Sequence, residues 1–124
     1  MAADPTGSEE PDLDAVLAAL DDADCREILR RLEEPMTASE ISETTGIPLS
    51  TTYRKLDRLS EATMVAERTE IRSDGHHTSL YYLDFEAVAV ALEEDRSFAV
   101  DISRPARSPD ERLAGIWSEV RKEI

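Results

Sequence analysis

Ser50, Thr51, Arg54 and Arg58 recur at a spacing that places them on one side of a single helix, and all four carry hydrogen-bond donors. A planar guanidinium offers two parallel donors, which match the paired acceptors on a guanine edge or the oxygens of a phosphate. Hydroxyls at the start of the same helix reach either kind of group. On the opposite side Leu49, Thr52, Leu56 and Leu59 form a stripe suited to packing. Tyr53 and Lys55 fall on the two flanks, where a ring or an ammonium can meet a phosphate backbone beside a groove. Further along, Arg72, His76 and His77 crowd a turn built on Ser73-Asp74-Gly75. In an arbitrary protein, arginines on a polar helix face are salt-bridge partners, here of Asp57 or Glu61. The surrounding elements decide between these two readings.

Thr37-Ala38-Ser39-Glu40 is a capping box, so a helix is expected from Ala38. Gly46 supplies its left-handed stop, and Pro48 suits the first turn of a second helix over 48–61. Two helices joined by about three residues form a helix-turn-helix. Met64 to Arg72 and Thr78 to Leu83 are rich enough in Val, Ile, Thr and Tyr to be strands, and the Asp-Gly between them signals a hairpin. That hairpin is the expected wing, with residues 72–78 at its tip. Upstream, Asp12 opens a helix with Leu13, Val16, Leu17 and Leu20 at helical spacing. Asp22 caps another helix that turns Ile28, Leu29 and Leu32 inward and ends at Pro35. Cys25 sits in its first turn; three neighbouring acids oppose the thiolate, which favours a structural role over redox sensing.

The run from Asp22 to Leu29, then Met36 to Ile41, Pro48 to Leu59 and Gly75 to Tyr82, resembles the ArsR-type winged-helix transcriptional regulators of halophilic archaea. The resemblance extends over roughly Asp12 to Leu83. It implies a dimeric, sequence-specific DNA-binding protein whose recognition helix starts at Pro48. Metal-sensing members carry paired cysteines on a helix, whereas this chain has one cysteine, so metal sensing does not carry over.

Beyond Glu86 the pattern changes. Val88, Val90 and Leu92, then Phe98, Val100 and Ile102, alternate with small or polar residues around a turn at Glu94 to Ser97, which favours a second hairpin with one apolar face. A helix over Phe85 to Leu92 competes, because alanine and glutamate favour it. Ser108-Pro109-Asp110-Glu111 is another capping box, and the helix expected after it carries Leu113, Ile116, Trp117 and Val120 as an apolar stripe. The stripe either covers the protein's own core or forms a homodimer seam. The expected class is α+β, mainly α: an acidic disordered tail over 1–11, a winged helix-turn-helix over 12–84, and a hairpin plus C-terminal helix over 85–124 for packing or dimerisation.

The net charge of -14 opposes nucleic-acid binding at first sight. Between Gly46 and Leu80, however, five basic residues balance five acidic ones, so the excess lies elsewhere. Only Lys55 and Lys122 are lysines among the fourteen basic residues, a mix like that of proteins from salt-loading halophiles. At molar salt the Debye length is about 3 Å, and distant carboxylates hardly act on DNA. No apolar run exceeds six residues, which excludes a membrane-spanning helix and suggests a cytoplasmic protein. No nucleophile-base pair, phosphate-cradling glycine loop or zinc signature is present, so neither an enzyme nor a cofactor or metal is expected. His76 and His77 diverge on a hairpin tip and read as a solvated wing. The expected partner is double-stranded DNA, bound by a homodimer; an effector cannot be read. The alternative is an acidic winged helix that docks a protein through Val88 to Ile102.

Overall fold

The computed structural model describes residues 12–105. Among the described residues, short polar side chains set three of the four helix starts. Asp12 accepts the Ala15 amide and opens α1 (Leu13–Asp21), and Asp22 accepts the amides of Asp24 and Cys25 to open α2 (Ala23–Arg31). The Thr37 hydroxyl and the Glu40 carboxylate exchange hydrogen bonds with each other's backbone amides, so α3 (Ala38–Thr45) begins with the expected capping box. A cap of this kind contributes about 1 kcal/mol. Gly46 then ends α3 at φ 80, a backbone region costly for any residue with a Cβ. After Gly46-Ile47-Pro48 comes α4 (Leu49–Glu61), which has no side-chain cap.

Two helix boundaries differ from expectation. The chain leaves α2 at Leu32, which is buried and no longer helical, so the helix stops before Pro35 takes effect. Pro48 has extended geometry and is the N-cap of α4 rather than its first helical residue.

The first hairpin pairs β1 (Val65–Ile71) with β2 (His77–Leu83), from Val65 opposite Leu83 to Ile71 opposite His77. His77 therefore belongs to a strand and Arg72 to the turn. Gly75 takes φ 87 in that turn, and its amide donates to the Arg72 carbonyl. Met36 adds a bridge to β2 through paired hydrogen bonds with Tyr81 of 2.9 and 2.8 Å, tying the entrance of α3 to the hairpin. The second hairpin, β3 (Ala87–Leu92) and β4 (Phe98–Ser103), forms instead of the competing helix. Its register sets Val88 opposite Ile102, Val90 opposite Val100 and Leu92 opposite Phe98, so every large apolar residue faces another across the ladder. Pairing on one face outweighs alanine's helix propensity here.

The core lies among the helices and the base of the first hairpin. Val16, Cys25, Ile28, Ile41, Leu56, Leu59 and Met64 are fully or almost fully buried. Leu20, Leu29, Tyr81, Leu83 and, from the second hairpin, Val88, Val100 and Ile102 pack around them. Leu17, at helical spacing with Leu13 and Leu20, is nonetheless half-exposed, because α1 turns Val16 and Ala19 toward α2 and α4. This arrangement is a winged helix-turn-helix with an additional hairpin. The expected tail over 1–11 and the C-terminal helix with Leu113, Ile116, Trp117 and Val120 lie outside the described residues.

Arg104 staples the second hairpin to the rest. Its guanidinium donates to the Thr63 carbonyl at 2.6 Å, the Thr63 hydroxyl at 2.7 Å and the Asp84 carbonyl at 2.8 Å. Thr63 is β-branched yet sits at φ 60, so its strained backbone is held by the same side chain that joins the two segments. Arg104→Ala is expected to cost about 2 kcal/mol, typical of a charged hydrogen-bonding group removed from partly buried carbonyls. Urea unfolding measures this as a lower midpoint at unchanged slope.

Candidate nucleic-acid interface

Helix α4 has two unlike faces. Thr52, Leu56 and Leu59 are buried, and the Thr52 hydroxyl is satisfied by the Pro48 carbonyl at 3.0 Å and the Ile47 carbonyl at 3.3 Å, which explains a polar residue in the packed stripe. Leu49 departs from that stripe: it is 42% exposed at the start of the helix, ahead of the first turn that meets the core. Ser50, Tyr53 and Arg54 are exposed and Thr51 is half-buried. The Arg54 guanidinium lies 3.3 Å from the Thr51 hydroxyl and has no acidic partner among the described residues.

Burial is the main cause that pushes the Tyr81 phenol above its ordinary value, with the charges of Glu67, Tyr53 and Asp57 adding to it. On the first hairpin the Arg68 guanidinium sits 5.9 Å from the centre of the Tyr82 ring, within reach of a cation–π attraction. Arg72 donates from Nε to the Thr78 hydroxyl at 2.7 Å. His76 is turned back to Asp74, with Nδ1 3.0 Å from the carboxylate. His77 is exposed opposite Ile71. Arg72, His76 and His77 thus share one hairpin end, as expected, and Arg68 is a further basic residue on the hairpin that sequence spacing did not single out. Alternation along the strand places Arg68 and Arg72 on one face, which was the available signal.

Lys55 and Arg58 do not project freely. Both donate to the same oxygen of Asp22, Lys55 Nζ at 2.6 Å and Arg58 Nη1 at 2.8 Å. The expected free arginine face is thus only partly realised: Arg58 is paired, and its partner is Asp22 at the start of α2 rather than Asp57 or Glu61 of its own helix. The Asp22 side chain is 11% exposed, Lys55 17% and Arg58 46%. Burial raises the Asp22 pKa, but the Lys55 ammonium and the amides of Cys25 and Asp24 outweigh it and leave the carboxyl below its ordinary value. A depressed carboxylate contributes stability above the ordinary carboxylate range and loses it only as the pH falls through its lowered value, so the Asp22 carboxylate keeps its charge at neutral pH.

Cys25 lies beneath this ion pair. Burial pushes its thiol up to about 11, with the Asp22 carboxylate adding to the shift against Arg58 and Lys55. Its Sγ is 3.9 Å from the Lys55 carbonyl. A thiol this basic and fully buried is a small packing residue and a poor nucleophile. Among the described residues no three His, Cys, Asp or Glu side chains gather as a metal would require, and no helix there is long and apolar enough to cross a membrane.

The geometry is that of a helix held on one face, ended by a tight turn, with its polar face outward beside a hairpin. Residues 20–68 match the family described as a helix-turn-helix domain. The matched segment runs from the end of α1 into β1, so the helix-turn-helix it covers includes α2, α3 and all of α4, while β2 and the second hairpin lie beyond it. A solved structure of a possible transcriptional regulator from Methanosarcina mazei Go1 is similar at 18% identity and a TM-score of 0.45, over 57% of this chain and 63% of that one. No curated protein matches the chain.

Proposed function

We propose that the protein is a sequence-specific, double-stranded DNA-binding transcriptional regulator of ArsR-like type adapted to high salt. The observation that carries this reading is the division of α4: Thr52, Leu56 and Leu59 are locked inward, while Ser50, Tyr53 and Arg54 stand in solvent at the end of the helix that a tight turn presents. In this reading α4 enters the major groove, where Arg54 addresses a base edge and Ser50 and Thr51 reach bases or phosphates. The α4 start has no side-chain cap, which leaves its first amides to donate to a phosphate. Arg72, His76 and His77 bring the wing to the minor groove or the backbone. No catalytic role belongs to these residues.

The protein acts as a homodimer that sets two copies of α4 in successive major grooves, about 34 Å apart, on a near-palindromic site. Leu113, Ile116, Trp117 and Val120 supply the seam. Val90, Leu92 and Phe98 support a larger apolar contact, since they stand 48, 50 and 63% exposed at the far end of the second hairpin. The same three residues favour a second reading, in which an acidic winged helix docks a protein instead of DNA. Incubating the protein with genomic fragments of its own source at molar potassium chloride, then sequencing the bound DNA, separates the two. A shared near-palindromic sequence is the expected result. Recovery of no enriched sequence at any salt concentration favours the docking module.

A further inference from the structure

We propose that Asp22 is an internal counter-charge that withholds Arg58 and Lys55 from DNA phosphates, and so makes binding less dependent on salt. The inference rests on the DNA-binding reading above and concerns the regulation of the same face. One carboxylate meets four donors: Oδ1 takes the amides of Asp24 at 2.9 Å and Cys25 at 3.2 Å, and Oδ2 takes Lys55 Nζ and Arg58 Nη1. The first pair is an ordinary helix cap, for which serine, threonine or asparagine would serve equally well. Only a carboxylate brings a charged second oxygen, and that oxygen is spent on two of the three basic residues of α4. Because Asp22 and Lys55 are largely buried, salt screens their attraction less than it screens an exposed pair.

The consequence follows from counterion release. Each phosphate neutralised by a protein cation steepens the dependence of log affinity on log salt by about 0.9. Two cations held at Asp22 are removed from that sum, while Arg54 keeps its guanidinium for a base edge. Sequence-independent attraction to the backbone falls and base reading is retained. Arg58, half-exposed, is the cation nearest to release.

Asp22→Asn keeps the capping oxygen and deletes the charge. Its binding to a fluorescein-labelled random-sequence duplex, followed by anisotropy over a potassium chloride series, is expected to be tighter at low salt than the wild type's. The log-log slope should be steeper by about 0.9 for one released cation and about 1.8 for two. Circular dichroism melting confirms that the variant is folded. An unchanged or shallower slope in a folded variant overturns the role of Asp22. Arg58→Gln in the otherwise wild-type chain provides a second measurement that needs no change at Asp22. It should leave the slope unaltered, because the withheld cation makes no phosphate contact to lose; a slope shallower by about 0.9 shows that Arg58 already contacts DNA and overturns the proposal. If the wild type binds no duplex at any salt, the DNA-binding reading falls and takes this inference with it. A changed variant slope alone bears only on Asp22.

Discussion

Truncation before Ser108 is expected to weaken operator binding by about 100- to 10,000-fold, the range over which linking two sites raises avidity. The loss follows from reading one half-site at a time, because among the described residues the buried core runs from Val16 to Val65, all of which the truncated chain keeps. The Arg104 staple also survives, so the truncated chain should still unfold cooperatively and sediment as a monomer. A truncated protein that remains a dimer with unchanged affinity would move the seam elsewhere. The first helix around Val16 and Leu20 is a poor second site, since Val16 has no exposed surface. Val90, Leu92 and Phe98 at the end of the second hairpin would then be the apolar surface to test, by Phe98→Glu, which leaves the core untouched and should split a dimer built there.

Local chemistry accounts for what the sequence disclosed. The capping box at Thr37 and Glu40, the left-handed Gly46 and the Asp-Gly turn of the first hairpin each depend on residues within a few positions of one another, and each stands where its residue types require. The second hairpin was legible for a related reason: six apolar residues in strict alternation pair off only if the chain folds back at 93–97. The competing helix would have scattered the same residues around its surface.

What stayed hidden is long in range. Asp22 is 33 residues from Lys55 and 36 from Arg58, so nothing in the α4 sequence signals that two of its cations are engaged. Arg104 reaches 41 residues back to Thr63, and a lone arginine before a proline offers no hint of that partner. Leu49 shows the limit of a periodicity argument. It falls on the packed side of the helical wheel, yet it precedes the turn where α4 meets the core and remains largely exposed. Periodicity assigns a side of the helix but not how far along the helix the core extends.

The second large effect separates two arginines that look alike in sequence. Arg54 stands on the solvent face of α4, with the Thr51 hydroxyl as its one side-chain partner among the described residues, so its guanidinium can turn both donors to a base edge. Arg54→Ala is expected to cost about 1 to 3 kcal/mol on the cognate site and to blur the preference at one base pair in each half-site. Arg72 is held differently. Its Nε is committed to the Thr78 hydroxyl at 2.7 Å, which lays the side chain along the wing and leaves the outer nitrogens for a phosphate or a narrow minor groove. Arg72→Ala should therefore weaken cognate and scrambled duplexes by similar factors, with little change in their ratio. Fluorescence anisotropy on a cognate site, its single-base variants and a scrambled duplex measures both effects. If Arg54→Ala leaves both cognate affinity and discrimination untouched, α4 does not read the major groove. The exposed end of the second hairpin, at Val90, Leu92 and Phe98, then becomes the better place to look for what this protein recognises.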